Sequence, residues 1–409
     1  MNRHIGALAF IFVCASLGWI VLGSVTSTRT HSQDANLRKN VGQLWGTIQK
    51  QHVPIVYRKE KVGREIVTSR DDKKIVETVT ETRRRPLDIE GSEINVELKL
   101  EHRKKGLLWY PTYVVRFDGR YRISNHSGVD RRIYFEYAFP AVDGVYDDFS
   151  LAIDEEKIDQ ISPNDGRIVH GIDLAENEEK EITISYRSQG MDEWWYVFGS
   201  GVSHIRNFDL TMTTDFDDVD FPENGISPTG KNKLDQGWEL SWNYDDLISG
   251  IQIGMLMPQK INPGPFVSKV TFYAPISLFL FLFLMFIINS LQERKLHPMN
   301  FFFVSAAYFS FHLLLAYLAD HVDIHLALII SSAVSIFLVI SYMRLVIGTR
   351  FAFLEMGVSQ FVYLVLFSYT FFLRGYTGLA ITVLCILTLF VVMQLTGRVD
   401  WSKQFIKQS

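Results

Sequence analysis

The sharpest cluster of metal-ligating residue types lies between two apolar stretches, at Asp320-His321-Val322-Asp323-Ile324-His325. Imidazole nitrogens and a carboxylate suit zinc or copper, and on a helical turn His321 and His325 would share a face with Asp320 beside them. A polar interfacial loop that ends two helices accounts for the same residues. Asp215, Asp217, Asp218 and Asp220 offer hard oxygens to calcium. They lack the glycine and distal glutamate of an EF-hand loop, so solvated turn carboxylates are the simpler reading. Gly199-Ser200-Gly201-Val202-Ser203-His204 sets two hydroxyls beside an imidazole. Adjacent strand residues point to opposite faces, so a glycine-rich turn explains the segment better.

Within the apolar stretches, His312 and Glu355 are the candidates for a buried polar centre, because ionisable groups at membrane depth are costly. Ser331, Ser332, Ser335, Gln360 and Gln394 fit close helix packing. There is no Gly-x-Ser-x-Gly elbow, P-loop, Gly-x-Gly-x-x-Gly or His-Glu-x-x-His in the chain. The expectation is a protein without catalysis, metal or cofactor. The alternative is a membrane-embedded enzyme or transporter handling a lipid or lipid-linked substrate.

What must position these residues is written in the hydropathy. Residues 5–25 form one apolar stretch, and five more follow at about 272–291, 301–319, 324–343, 351–373 and 378–395. Each is close to the roughly 20 helical residues that cross a bilayer. Arg3, Arg294, Lys295, Arg344, Arg350, Arg398, Lys403 and Lys407 flank one side of the six spans, against Arg374 on the other. Positive loops stay inside, so both termini are expected in the cytoplasm and the large intervening segment outside, in the periplasm of a double-membraned bacterium. The first span is read as an uncleaved anchor, since Gly23-Ser24-Val25 is a poor cleavage site. The organisation is then an anchor at 1–25, a periplasmic β-rich domain at 26–268, a five-helix bundle at 269–397 and a cytoplasmic tail at 398–409.

The only cysteines, Cys14 and Cys385, fall in spans, so the outer domain folds without disulfides. Alternation of polar and apolar residues at 93–100, 132–138, 180–186 and 207–213, with fragments at 113–117 and 238–242, marks half-buried strands. Asp118-Gly119, Asn164-Asp165-Gly166, Asn224-Gly225 and Pro228-Thr229-Gly230 read as turns between them. An antiparallel β-sandwich follows, entered through a short helix near 43–51. Lys and Arg outnumber Asp and Glu 20 to 13 over 50–132, whereas 133–260 holds 8 against 26. Either the domain has a basic and an acidic face, or strands of both halves interleave in one sheet. Arg83-Arg84-Arg85 and Arg103-Lys104-Lys105 are not read as nucleic-acid patches, given the acidic balance of the domain.

Leu296-His297-Pro298-Met299, following Gln292-Glu293-Arg294-Lys295, resembles the junction before an aromatic-rich span in the CreD family of inner membrane proteins. Leu44-Trp45-Gly46 with Gln49 and Gln51, Leu318-Ala319-Asp320-His321, and Val399-Asp400-Trp401 are similar to that family's other marks, in the same order. The resemblance implies a cytoplasmic-membrane protein tied to envelope integrity and stress response. Its partners would be the lipid bilayer and an envelope protein or lipid, not nucleic acid. It brings no catalytic residues. From the residues alone, Pro298 suits a helix's first turn, where its missing N–H is no loss.

Overall fold

The computed structural model describes residues 2–70, 73–105, 108–199, 201, 203–292, 296–373 and 375–397, with backbone only for 2–5, 33, 64–70 and 73–79. Two compact units divide the chain: Met1–Asn36 with Ile261–Ser409, and Leu37–Lys260. The first is helical. Helix α1 (Asn2–Trp45) is followed, beyond the second unit, by α2 (Pro263–Leu291), α3 (Pro298–Leu318), α4 (Ile324–Val346), α5 (Thr349–Phe372) and α6 (Thr377–Thr396). Among the described residues, these 6 helices are long and apolar enough to cross a membrane.

Helix α1 departs from the sequence expectation. Its 44 residues do not stop near residue 25; at 1.5 Å per residue they span about 66 Å, roughly twice a hydrocarbon core. Thr26 and Thr30 return their hydroxyls to the carbonyls of Leu22 and Thr26, both at 2.8 Å, so the helix continues through polar sequence. It ends where Gly46 adopts φ +95° and donates its N–H to Gly42 at 3.0 Å. No separate helix lies at 43–51; residues 49–52 are strand.

Fully buried Trp19 of α1 meets Tyr308 and His312 of α3 edge-on, at centroid distances of 6.4 and 5.5 Å. Helix α5 contains two π-helical stretches, Ala352–Gly357 and Phe361–Leu366. Such widened turns leave carbonyls free for outside donors. Ser277 of α2 donates to the Tyr363 carbonyl, and the Tyr363 hydroxyl pairs with Thr388 of α6 at 2.8 Å. Gln360 Nε2 donates to Ser335 Oγ at 2.8 Å, and Ser335 to the Ala307 carbonyl at 2.7 Å. These hydroxyls therefore tie α3, α4 and α5 together.

The second unit is built of β-sheet. Eight strands run in the order β13 (Gly230–Lys233), β14 (Trp238–Ser249), β12 (Ser203–Thr214), β4 (Gly91–Lys105), β5 (Leu108–Ser124), β10 (Glu179–Met191), β7 (Tyr146–Ile153) and β8 (Glu156–Lys157). A four-stranded sheet is ordered β3 (Lys73–Leu87), β2 (Ile55–Arg70), β6 (Arg131–Ala138), β9 (Arg167–Leu174). A three-stranded sheet is ordered β1 (Gln49–His52), β11 (Glu193–Val197), β15 (Ile253–Leu256). Ile94, Val96 and Leu98 of the first, Val56 and Phe135 of the second, and Trp194 and Tyr196 of the third enter one core.

The expected strands all form, and the pairing is antiparallel except for β1–β11 and β4–β12. Asp118-Gly119 is not a turn but the interior of β5, where Gly119 pairs with Ile94 and Ile184. A Cβ there would meet the rings of Phe117 and the hydroxyl of Tyr121 at 2.9 and 3.0 Å, so glycine makes room for its aromatic neighbours. Asp165 and Gly166 do turn, with φ +49° and +67°. Strands of the basic half, β4 and β5, sit between β12 and β10 of the acidic half. Interleaving is thus the reading the fold supports.

Candidate functional site

The three-stranded sheet begins right after α1, and its first strand is fixed by two buried glutamines. Gln49 Nε2 donates to Ser188 Oγ at 2.7 Å and to the Gln189 carbonyl at 2.6 Å. Gln51 Oε1 accepts from Tyr137 and Tyr186, at 2.6 and 3.0 Å. Burial raises the hydroxyl pKa of both tyrosines well above its usual value, so they remain donors. With period two, inward Gln49 and Gln51 leave Lys50 and His52 on the opposite face.

The parallel register sets Lys50 beside Trp195 and His52 beside Val197. These four residues, with Ile55, Glu136, Ala138 and Arg167 of the four-stranded sheet, line a cleft of about 640 Å³. Its volume lies in the range of small-molecule sites. Glu136 is buried and bridged by Arg84 at 2.8 Å and Arg167 at 2.7 Å. The Trp195 indole N–H is held by Glu193 at 2.8 Å. Gln252 accepts from the Phe198 N–H at 2.5 Å and closes one end. Lys50 has no ion-pair partner among the described residues. Two guanidiniums thus share one carboxylate, and Lys50 lines the same cleft, together with apolar Val197, Phe198 and Ile55.

Desolvation, and then the positive charges of Lys50 and Arg167, hold the His52 pKa below its usual 6.5. A histidine with a depressed folded-state pKa costs nothing above 6.5, and stability falls as pH drops from there through the folded value. His102, desolvated beside Lys260, adds a slope of the same sign. Thermal unfolding of the His52→Gln protein is therefore expected to lose less between pH 7.5 and 5 than that of the native protein. Equal losses would show that His52 does not titrate in this window.

A smaller recess of about 380 Å³ lies on the eight-stranded sheet, among Glu97, Arg116, Asp118, Asp148 and Arg187. Its charges are already matched, Arg116 to Glu97 at 3.7 Å, Arg187 to Asp148 at 3.8 Å and, from outside the recess, Arg120 to Asp118 at 3.9 Å. It offers no spare charge to a ligand.

The residues singled out from sequence are placed as follows. Asp320 pairs with Arg29 of α1. Residues 319–322 form a turn rather than a helix, with the His321 N–H on the Leu318 carbonyl at 2.9 Å. His325 stacks on Phe372 with centroids 4.4 Å apart. Asp323 caps α4 by accepting from the His325 N–H at 2.9 Å. No group of three or more His, Cys, Asp or Glu able to hold a metal occurs among the described residues. Asp215 accepts from the Leu100 N–H at 2.8 Å, and Asp217 from that of Gly237 at 3.2 Å. These aspartates serve turns. His204 pairs with Asp246 at 2.6 Å, and Ser200 and Val202 lie outside the described residues.

His312 is enclosed by Trp19, Tyr308 and Phe311, and its Nδ1 lies 3.3 Å from the Tyr308 carbonyl. Glu355 has a buried Oε2 without a hydrogen-bond partner among the described residues. No hydrogen bond or ion pair among the described residues joins the two. His297 caps α3, its Nδ1 accepting from the Met299 N–H at 3.2 Å, and Pro298 opens the helix as its sequence position requires. Asp400 and Trp401, like Arg294, Lys295, Arg374, Arg398, Lys403 and Lys407, lie outside the described residues.

Residues 233–402 match the family described as inner membrane protein CreD. Over that stretch the chain is similar to the CreD family. The matched part runs from the end of the β unit through the five C-terminal helices, and so contains His297, Pro298, Met299, Asp320 and His321 but not Trp45 and Gly46. No curated protein matches the chain. Among solved structures, a Legionella pneumophila protein provisionally described as nutrient-binding is similar at 9% identity and TM-score 0.30, covering 64% of this chain and 85% of its own. An M1 zinc metallopeptidase from Deinococcus radiodurans is similar at 9% identity and TM-score 0.24, covering 41% of this chain and 42% of the enzyme. Neither likeness is close enough to establish a shared fold. The six apolar helices, together with this match, make the chain a multi-pass membrane protein in contact with lipid.

Proposed function

We propose that this protein, similar over its C-terminal part to the CreD family, acts without catalysis, holding an envelope component in the cleft between β1 and β6 on the periplasmic side and so contributing to envelope integrity. The observation that carries this reading is the cleft itself: a concave site of about 640 Å³ with apolar lining and an ammonium, Lys50, that has no ion-pair partner among the described residues. The charge bias of the loops supports periplasmic exposure with cytoplasmic termini. A membrane-embedded enzyme or transporter draws less support, because aromatic rings enclose His312 and no partner reaches Glu355 among the described residues.

The test is native mass spectrometry of the full chain in lipid nanodiscs, beside Ala138→Trp. Ala138 lies in the cleft wall, so an indole there fills the space. A species other than bulk lipid should accompany the native protein and fall at least about tenfold in the variant, the loss of over 1.4 kcal/mol of binding. Only bulk lipid, or a species that Ala138→Trp retains, would overturn the reading.

A further inference from the structure

The charges of the cleft narrow what it can hold, and the argument rests on the cleft being the binding site. A neutral or cationic ligand would leave the surplus charge of Lys50 without a partner. An anion would complete it, because Arg84 and Arg167 share a single carboxylate, Glu136, and each guanidinium keeps further donors. Arg84 also lies over the Tyr57 ring at 4.7 Å, and Lys59 over that of Tyr134 at 4.0 Å, in the four-stranded sheet. The positive character therefore continues from the cleft along β2 and β3, where Lys59 and Arg84 are paired in register. On the other side, Trp195, Val197, Phe198 and Ile55 offer only apolar surface, since the Trp195 N–H is already used.

We propose that the cleft takes an anionic amphiphile: a phosphate or carboxylate held between Lys50 and Arg167, with an apolar body against Trp195, Val197 and Phe198. Such a group could come from a lipid headgroup fragment or from a free organic acid; the recognising chemistry is shared. The strands need not move to admit it, because Gln49 and Gln51 fix β1 from beneath while Lys50 faces out. Charged and apolar side chains stand next to one another in the cleft, Lys50 beside Trp195 in register, so both ends of the ligand find partners.

The test uses the full chain in nanodiscs of zwitterionic lipid, titrated with hexyl phosphate, hexanoate and uncharged hexyl glucoside and read by native mass spectrometry. At least one of the two anions should bind, more tightly than the glucoside. Lys50→Gln should weaken it about tenfold or more, as loss of one charge-assisted contact does. Rising salt should weaken binding as well. A preference for the phosphate or the carboxylate would distinguish the two sources. Lys99→Gln, on the eight-stranded sheet, should leave binding unchanged. Lys50 is exposed, so the variant is expected to fold, and its thermal unfolding checks this. Binding of hexyl glucoside as tight as the anions, or anion binding indifferent to Lys50→Gln, would overturn the anion assignment and leave the cleft as a binding site. No probe bound, while the native species is still lost in Ala138→Trp, would do the same. No probe bound and no species displaced by Ala138→Trp would remove both.

Discussion

Replacing Gly46 with alanine should unseat β1 and destabilise the β unit by roughly 3 kcal/mol or more. Two independent demands converge on this residue. Its φ of +95° is one that L side chains rarely adopt. A Cβ built there would also stand 2.1 Å from the Gln189 carbonyl oxygen and 2.8 Å from its carbon. Those are backbone atoms, so no rotamer change relieves the clash. Gln189 lies in β10, and its carbonyl accepts from Gln49, so pushing it away also weakens the anchor of β1. For a unit of this size the melting temperature should fall by roughly 6–12 °C. The protein should lose its cleft ligand in parallel. Thermal unfolding followed by tryptophan fluorescence reads the effect. An unchanged midpoint would mean that the α1–β1 junction adapts freely, and that this glycine is not what ends the helix.

The six spans were legible because a bilayer imposes a length, and an apolar run of that length has few other uses. Strands such as 93–100 were legible because one face is buried, and period two survives in the residue types. The extent of α1 was not, since beyond Thr26 its apolar side chains are few, and only the fold shows Val41, with Leu37 and Trp45, packed against Leu108, Tyr110 and Met191. Asp118-Gly119 misled for a related reason: turn and strand glycines look alike until Phe117 and Tyr121 are seen flanking it. The cleft was illegible altogether. Lys50, Glu136, Arg167 and Trp195 come from four distant segments, and only the sheet registers bring them together. The one local sign was Gln49 and Gln51 after Trp45-Gly46, noticed as a resemblance but without its physical sense. Two polar residues at period two usually face water; here they face the core, and Lys50 and His52 take the outside. At the α3 end the reverse held. Pro298 was understood from its residue type alone, and His297 proved to be its helix cap.

Gln51→Leu should cost the β unit about 2–5 kcal/mol, although leucine fills nearly the same space. Gln51 is fully buried, and its Oε1 is the acceptor for two phenols at once, Tyr137 and Tyr186, while Nε2 donates to the His52 carbonyl at 2.8 Å. Leucine leaves both hydroxyls in the core without an acceptor, and each stranded polar group costs roughly 1–3 kcal/mol. Neither phenol escapes by ionising, because burial holds both pKa values far above neutrality. The loss should therefore be independent of pH between about 6 and 9. A cavity effect can be separated from a hydrogen-bond effect by removing the stranded groups. Taking away both partners of a buried hydrogen bond is close to neutral, whereas taking away one is not. The triple variant Gln51→Leu, Tyr137→Phe, Tyr186→Phe should accordingly unfold at a higher urea concentration than Gln51→Leu alone. If the triple variant is no more stable than the single one, the glutamine holds β1 by shape, and the phenols are bystanders.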